Sequence, residues 1–319
     1  MKRALFLALS TITLGAVLTA PGQAATTPSP GDLRVGTFNI SGANNDSHAT
    51  GEQKVWSVRK PVVVRQIVGE NSDVIGLQEA YEGTLQYTDL RNALNAAGKK
   101  FEVTNTDKSA SRGTRIIYNT STLTLLKSGS FKYVHQVSGS TDRYFVWATF
   151  QQIATGKQFF FTSTHLSPNS STVKKQEWQE LIPKIKALNT GRLPVIAVGD
   201  FNTSKFGAAA QDMLPAMKTA GFGDVMNQEY QVNPPRSPRA ETSINRWINS
   251  FNGFRRDVSL YSYPSRHDKV GNGIDWVFAT NTLRVKKWKV VIYYDASTLQ
   301  ITGVIPSDHN MVSSTVVLP

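Results

Sequence analysis

Residues 194–202 read PVIAVGDFN, a short apolar run that ends in an acid and an amide, Asp200 and Asn202. An uninterrupted apolar run of this length indicates a strand that is buried on both faces. Polar groups fixed at the end of such a strand by a rigid sheet are a common arrangement in active sites. The stretch therefore predicts an internal strand with functional residues at its end.

Polar side chains stand at the end or the start of five further apolar segments. They are Asn39, Glu79, His165, Asp275 and the neighbours Asp308 and His309. Any one of them alone is a weak signal, because a single polar group at a strand end is more often a turn or structural residue. Together they supply the carboxylates, amides and imidazoles that a metal-assisted hydrolase requires.

Glu79 and Asn39 are candidates for a metal site. The chain contains no cysteine, so disulfides and thiolate ligands are excluded and a metal must be bound by oxygen or imidazole groups. Glu79 is a hard oxygen ligand, and Asn39 can ligate the cation or orient the carboxylate. We therefore expect Mg²⁺, with Mn²⁺ or Ca²⁺ as alternatives.

The remaining groups suggest acid–base roles. His309 can accept a proton from water near neutral pH, and a carboxylate such as Asp275 would fix its tautomer. Asp200 and Asn202 could position the water and contact a phosphate oxygen. His165 could donate a hydrogen bond to the phosphate or to the leaving group. These roles predict hydrolysis of a phosphate ester.

The N-terminus has the features of an export signal. Lys2 and Arg3 precede an apolar run at residues 4–18, and small residues follow at Gly22, Ala24 and Ala25. We interpret residues 1–25 as a signal peptide, residues 26–31 as a disordered leader and residues 32–319 as the folded domain. The apolar run is too short for a membrane anchor, and no other segment reads as transmembrane. The protein is therefore expected to be secreted.

Apolar periodicity predicts an α/β fold. Helical spacing covers residues 55–69, 84–97, 171–189 and 208–220, with Val58, Val62, Ile67 and Val68 on the expected core face of the first helix. Strand-like runs cover residues 33–40, 73–78, 115–118, 123–134, 144–154, 157–165, 194–198, 274–279, 283–292 and 311–317. The turn Thr155-Gly156 predicts a hairpin, and residues 227–264 show no regular pattern. This order favours two packed sheets with helices outside.

Taken in order, the motifs TFNI, GLQE, THL, GDFN, IDWVF and SDH resemble those of the endonuclease/exonuclease/phosphatase superfamily, to which deoxyribonuclease I belongs. They span Asn39 to His309, nearly the whole of the expected mature chain. The resemblance implies a four-layer α/β sandwich of two mixed sheets flanked by helices. It also implies a metal at Glu79 assisted by Asn39 and Asp308, with His165 and His309 as catalytic imidazoles.

The chain departs from deoxyribonuclease I at two positions. Tyr81 follows the metal-binding acid where that enzyme has an arginine, and residues 109–118 contain no carboxylate to orient His165. The resemblance therefore predicts phosphoester hydrolysis rather than that enzyme's particular way of binding a duplex.

Charge favours nucleic acid as the substrate. The net charge is +12, and loss of Lys2 and Arg3 leaves 12 − 2 = +10, which suits polyanionic partners. Arginine and aromatic residues alternate from Arg236 to Arg256, and such a mixture can contact phosphates and stack bases. The candidates for substrate contact are Arg115, Arg143, Arg246 and Trp247, with Arg236, Arg239, Arg255, Arg256 and Arg266 as further cations.

Three alternatives remain open at the level of sequence. A phospholipase C of the sphingomyelinase kind would use the same site on a phospholipid headgroup and would place exposed aromatic residues in the bilayer surface. An inositol-phosphate or nucleotide phosphatase would use it on a monoester. A non-catalytic binding module would tolerate loss of site residues, and here the set is complete. No obligate protein partner is indicated.

Overall fold

The computed structural model describes residues 29–104, 111–205, 207–226, 240–260 and 271–319. The predicted signal peptide, residues 1–25, lies outside these ranges, as do residues 26–28 of the leader predicted at residues 26–31. Among the described residues, no helix combines the length and the apolar character needed to cross a membrane.

Strands and helices alternate along the chain in nearly the predicted order. The strands are β1 (Asp32–Asn39), β2 (Val74–Gln78), β3 (Phe101–Val103), β4 (Arg115–Asn119), β5 (Leu123–Lys132), β6 (Tyr144–Gln152), β7 (Gln158–His165), β8 (Val195–Asp200), β9 (Phe222–Asp224), β10 (Thr242–Ile244), β11 (Asp275–Thr280), β12 (Arg284–Val291), β13 (Tyr294–Asp295), β14 (Gln300–Ile301) and β15 (Met311–Val317). The helices are α1 (Trp56–Gly69), α2 (Gln86–Ala96), α3 (Ser171–Leu188) and α4 (Ala208–Thr219), with a 3-10 helix at Ala43–His48.

Two large mixed sheets confirm the predicted fold class. One has seven strands in the order β10-β12-β15-β1-β2-β4-β3, and the other has six in the order β5-β6-β7-β8-β11-β9. Strands β6 and β7 form the predicted hairpin, with Gly156 at a positive φ of 71° in the turn. The sequence did not predict the strands β3, β9, β10, β13 and β14. A strand of two or three residues is too short to show an alternation of apolar and polar residues.

Alternating side chains along β1 show how the layers are held together. Leu33 and Val35 point into the core between the sheets, whereas Phe38 and Ile40 pack with residues of α1 and α2 on the outer face. Helices α3 and α4 pack on the outer face of the other sheet, where the predicted apolar face of α3, including Trp178, is buried. Side chains alternate along a strand, so Asn39 points to the same side of β1 as Leu33 and Val35 and faces the second sheet.

The predicted core face of α1 was wrong in one respect. Val58 is 45% exposed and Val62 is half-buried, whereas Ile67 is buried as predicted, together with Trp56, Arg59, Val63 and Gln66. Apolar spacing alone could not find this face, because two of its five members are polar.

The sheets approach each other closely at Gly76 in the middle of β2. A Cβ atom there would lie 2.5 Å from Cγ2 of Val198 and 2.7 Å from Oγ of Ser163. Two residues further along β2, Gln78 accepts a hydrogen bond from Thr37 (3.1 Å) and donates one to Ser163 (3.0 Å). This buried polar link joins the sheets directly beneath their functional edge.

Candidate active site at the shared edge of the two sheets

Strand direction brings the predicted site residues to one edge. Because β1 and β2 are parallel, as are β7 and β8, their C-terminal ends meet there. The antiparallel strands β11 and β15 begin at the same edge. His165 pairs in register with Asp200, and Asp200 pairs with Asp275.

His309 and Asp275 form a buried hydrogen-bonded pair. His309 Nδ1 lies 2.8 Å from Oδ2 of Asp275, and the two residues are 4% and 1% exposed. Ser250 Oγ accepts the backbone N–H of Asp275 (3.1 Å), and the ring of Phe251 meets the imidazole edge-on at 5.1 Å. These contacts fix the tautomer with Nδ1–H donating to the carboxylate, so that Nε2 faces the site.

Asp200 lies between the two imidazoles. Its Oδ2 atom is 3.5 Å from Nε2 of His165 and 3.6 Å from Nε2 of His309. It also accepts a hydrogen bond from Asn39 Nδ2 (3.2 Å), while Oδ1 accepts the backbone N–H of Asn202 (2.8 Å). Burial, reinforced by the nearby charge of Asp275, raises the pKa of Asp200 to about 7 despite the opposing effect of His309.

The two histidines have opposite pKa shifts. Burial, with the positive charges of Arg143 and His309, holds the pKa of His165 well below its usual value, so this imidazole is neutral at pH 7. Burial also acts to lower the pKa of His309, but Asp275, Asp200 and Asp308 outweigh it and raise that pKa well above its usual value. His309 can therefore serve as a base only where the surrounding negative charge is offset.

Glu79 and Asn39 are held in a network of their own. Glu79 follows β2 with a positive φ of 54°, and its Oε2 atom accepts the backbone N–H of Gly42 (3.2 Å). Asn39 donates through Nδ2 to Glu79 Oε1 (3.0 Å), and its Oδ1 atom accepts the N–H of Ser41 (3.1 Å). The amide of Asn39 therefore orients Glu79, and its Oδ1 atom keeps a second lone pair that could ligate a cation.

The donor set fits a hard divalent cation. Asp308 is half-buried close to Glu79, and its pKa is raised by burial and by the charge of Glu79, with His309 opposing. Carboxylates held close together in a partly desolvated site disfavour one another's ionised forms. A divalent cation among Glu79, Asp308 and Asp200 would offset the charge that shifts the pKa values of Asp308 and His309.

A second set of possible ligands exists nearby. Asp200, Asp275 and His309 offer ligand atoms within 4.8 Å of one another. However, Nδ1 of His309 and Oδ2 of Asp275 are already hydrogen-bonded to each other, so a cation that took either atom would have to break the pair. The set of Glu79 and Asp308 is therefore the better fit.

Arg59, which sequence reasoning did not select, fixes two of the loops that hold these acids. It is 1% exposed and donates from Nη1 to the carbonyls of Ile40 (2.7 Å) and Pro306 (2.9 Å) and from Nη2 to that of Ser41 (3.0 Å). The first loop follows Asn39, and Pro306 precedes Asp308. The sequence did contain a signal for this role, because Arg59 lies four residues before Val63 and eight before Ile67 and therefore on the same face of the helix as these apolar residues.

Cationic groups lie on the opposite side of Asp200. Burial lowers the pKa of Arg143, while the charges of Asp200 and Glu177 act to raise it. Among the residues that the structure describes, its buried Nε–H has no hydrogen-bond partner. Lys174, at the start of α3, donates to the backbone carbonyl of Asn202. Asn202 adopts a positive φ of 47°, and its Nδ2 donates to Leu166 O (2.8 Å), which ties the end of β8 to that of β7. The site thus has an acidic and a basic side.

The other predicted substrate contacts are placed differently. Arg115 is fully buried with its guanidinium 4.5 Å from the centre of the Tyr87 ring, and Arg246 is partly buried beside β10. Trp247 is 4% exposed and packs edge-on against Tyr294, so its ring is not presented to a ligand. The expectation that Trp247 contacts substrate is therefore not supported by its position.

The arginine and aromatic stretch is only partly available. Arg256 is tied to Glu52 (2.7 Å) and to the carbonyl of Ile301 (2.7 Å), whereas Arg255 is exposed. The remaining cations of that prediction, Arg236, Arg239 and Arg266, lie outside the described residues.

Acids and imidazoles from both sheets meet at this shared edge, an arrangement suited to hydrolysis of an ester. The chain belongs to the endonuclease/exonuclease/phosphatase family, whose model matches residues 36–309. It is thus a hydrolase acting on phosphate esters, in a family that is generally dependent on divalent metals. No curated protein sequence matches the chain.

Solved structures share the fold at low sequence identity. A mannosyl-6-phosphatase of Bacteroides thetaiotaomicron has a TM-score of 0.67 and 22% identity, over 90% of this chain and 100% of its own. The human Nocturnin catalytic domain with bound sulfate gives 0.62 and 16%, over 91% and 95%. D. rerio TDP2 complexed with single-strand DNA product gives 0.59 and 18%, over 89% and 98%. At these identities the likeness is one of fold.

Proposed function

We propose that the chain is a secreted, Mg²⁺-dependent phosphodiesterase that hydrolyses nucleic acid. The observation that supports it most is the buried Asp275–His309 pair, whose Nε2 lies 3.6 Å from Asp200 and 3.5 Å from Asn39 Nδ2, beside the acids of the predicted metal site. A base oriented in this way contributes typically 10²–10⁴-fold to a rate. The export signal and the positive charge are the sequence support for secretion and for a polyanionic substrate.

The residues divide the chemistry among them. His309 Nε2 receives the proton of the attacking water, and Asp275 stabilises the resulting imidazolium. Asp200 accepts a hydrogen bond from that water and holds it between the imidazoles. A cation held by Glu79 and Asp308, with Asn39 orienting Glu79, would offset the charge of the phosphate and stabilise the leaving oxygen.

The basic side of the site is suited to the phosphate. The guanidinium of Arg143 can donate to a non-bridging oxygen, which an unpartnered buried Nε–H favours. Neutral His165 retains one ring N–H, with which it can donate a hydrogen bond to the phosphate. Lys174 donates a hydrogen bond to the backbone carbonyl of Asn202, which holds that residue in place, and it adds positive charge near Asp200.

A phosphatase acting on the phosphate monoester of a polyol, such as a sugar or an inositol, is the second candidate. It is favoured by a polar pocket of about 320 Å³ that opens beside Asp308. The sphingomyelinase alternative receives less support, because Trp247, one of the aromatic residues expected at the bilayer, is buried.

A substrate panel tests the proposal. Purified protein would be assayed with Mg²⁺ on plasmid, single-stranded DNA, RNA, sphingomyelin vesicles, a phosphorylated inositol and a hexose phosphate, with His309→Ala as the inactive control. We expect nucleic acid to be cleaved with the highest kcat/KM. Turnover of sphingomyelin or of a monoester in preference to every nucleic acid would overturn the nuclease assignment, and no turnover of any phosphoester would overturn the whole proposal.

A further inference from the structure

A pocket on the acidic side of the site has no role in the chemistry described above. It is open to solvent, has a volume of about 320 Å³ and is lined by Ser41, Asn45, His48, Gln53, Gly253, Phe254 and Asp308. One wall is the 3-10 helix and the loop after it, and the other is the loop at residues 253–254. Asp308, an acid of the predicted metal site, lies where the two walls meet, so the pocket adjoins the place where a phosphate would be hydrolysed.

The walls are held to each other by ion pairs and backbone bonds. Arg256 donates to both oxygens of Glu52, at 2.7 and 2.5 Å, which joins the loop before α1 to the loop after Phe254. Gly253 donates its N–H to the carbonyl of Asp308 (3.0 Å). The guanidinium of Arg59 lies behind the pocket, 5.7 Å from the centre of the Phe254 ring and 3.8 Å from Asp46. The pocket is therefore shaped before any ligand enters.

Two lining residues adopt backbone conformations that their type disfavours. Phe254 has a φ of 57° and Ser41 a φ of 54°. Phe254 is kept there by its N–H, which donates to Asn252 Oδ1 (2.8 Å), and Ser41 by the two hydrogen bonds that its carbonyl accepts from Arg59 and Gln86. Such conformations persist only where the surroundings enforce them, and they cluster at ligand sites.

The lining chemistry selects a neutral, hydroxylated ligand. Asn45, His48, Gln53 and Ser41 offer amide, imidazole and hydroxyl groups, which can both donate and accept hydrogen bonds. Within the part of the chain that the structure describes, the lining contains no lysine or arginine, and its one charged member is Asp308. A second phosphate would therefore be repelled, and a lipid tail would leave these polar groups unpaired.

We propose that this pocket binds the hydroxylated ring that bears the scissile phosphate, a furanose or pyranose sugar or an inositol, with Phe254 against its apolar face. The proposal rests on the proposed phosphoesterase function and adds the recognition of the alcohol part of the substrate. The same ring chemistry is presented by the sugar of a nucleotide and by a free sugar phosphate. The volume admits one such ring together with water.

Paired substrates with and without ring hydroxyls test the pocket. We would compare kcat/KM for a hexose 6-phosphate, an inositol phosphate, a ribonucleotide and a deoxyribonucleotide ester with that for 4-nitrophenyl phosphate and its bis ester, in the wild type, Asn45→Leu and Gln53→Leu. Each variant is expected to lower the ratio of hydroxylated to nitrophenyl kcat/KM about tenfold, since one hydrogen bond contributes roughly that factor. The matched control is Gln179→Leu, the same change at an exposed position of α3.

The outcomes separate the two proposals. A fall in the ratio for nucleotide esters alone identifies the ring as the sugar of a nucleic acid, and a fall for the hexose or inositol ester alone identifies a free sugar or inositol phosphate; both support the pocket. An unchanged ratio in both variants, or one matched by Gln179→Leu, would overturn it while leaving the phosphoesterase intact. Failure of the wild type on every ester would instead refute the proposed function.

Discussion

His309 is the residue on which the proposed chemistry depends most. Replacing it with alanine removes the proton acceptor but leaves Asp275 held by Ser250, so the strand ends should stay in place. We expect kcat to fall about 10²–10⁴-fold with little change in the thermal unfolding midpoint. His135→Ala is the control, because that histidine is exposed and pairs with Glu180 on the surface. A near-normal rate in His309→Ala would assign the base to another residue.

Arg59 shows that a residue outside the chemistry can set the geometry of the site. Arg59→Met would leave the carbonyls of Ile40, Ser41 and Pro306 without their buried donor, so we expect the free energy of unfolding to fall by about 3 kcal/mol. Because two loops near the metal-site acids would loosen, the Mg²⁺ concentration for half-maximal activity should also rise.

Denaturant titration and metal-dependent kinetics measure these two effects of Arg59. Arg59→Lys, which keeps the charge and part of the bonding, should be intermediate in both. Arg65→Met is the control on the same helix, where the arginine is exposed and rests against Tyr293. Equal stability and equal metal dependence in Arg59→Met and Arg65→Met would remove Arg59 from any positioning role.

At the scale of elements, Glu70 joins α1 to the sheet. It follows the helix and contacts Lys289 (2.5 Å) and Lys287 (3.5 Å) of β12 and the hydroxyl of Ser313 in β15 (3.1 Å). Burial acts to raise the pKa of Glu70, but these partners outweigh it and leave that pKa below its usual value. The stabilisation is therefore fully present above the unfolded-state pKa and is lost as pH falls through the lower folded-state pKa.

We expect Glu70→Gln to lower the free energy of unfolding by an amount that depends on pH. Near neutral pH the variant should lose about 1–2 kcal/mol of unfolding free energy, and the difference from wild type should shrink at about pH 3. Urea denaturation at the two pH values measures it. Glu102→Gln, which removes one member of an exposed pair with Arg91, is the control with a small effect at both. A cost for Glu70→Gln that does not change with pH would show that the carboxylate charge is not what joins these elements.

The elements with a strong period were predictable from the sequence, and those held by pairing alone were not. The run at residues 194–202 predicted β8 and the position of Asp200 at its end, because a buried strand needs a continuous apolar stretch. In contrast, β10 lies in the region read as irregular, since Thr242–Ile244 forms a strand only by pairing with β12. The role of Arg59 and the burial of Trp247 depend on neighbours more than 40 residues away, which no local pattern reports.

At the scale of the whole molecule, the topology determines which predicted residues can act together. Asn39 and His309 are separated by 270 positions, yet the antiparallel pairing of β1 with β15 brings their side chains to 3.5 Å. Packing of the second sheet then adds His165 and Asp200, with Asn39 bonded across the layers to Asp200. A site assembled from both sheets exists only in the folded chain, so its ligands should stabilise the whole domain.

Metal binding should therefore be visible in global stability as well as in activity. We expect a chelator such as EDTA to abolish hydrolysis and Mg²⁺ or Mn²⁺ to restore it, because the phosphate charge would otherwise be uncompensated. Added Mg²⁺ at about 100 times its Kd should stabilise the fold by roughly 2.7 kcal/mol, seen as a rise of a few degrees in the unfolding midpoint. The double variant Glu79→Gln, Asp308→Asn should lose both responses, whereas Glu102→Gln should keep them. Full activity in chelator, or an equal midpoint shift in the double variant, would exclude a cation at these acids.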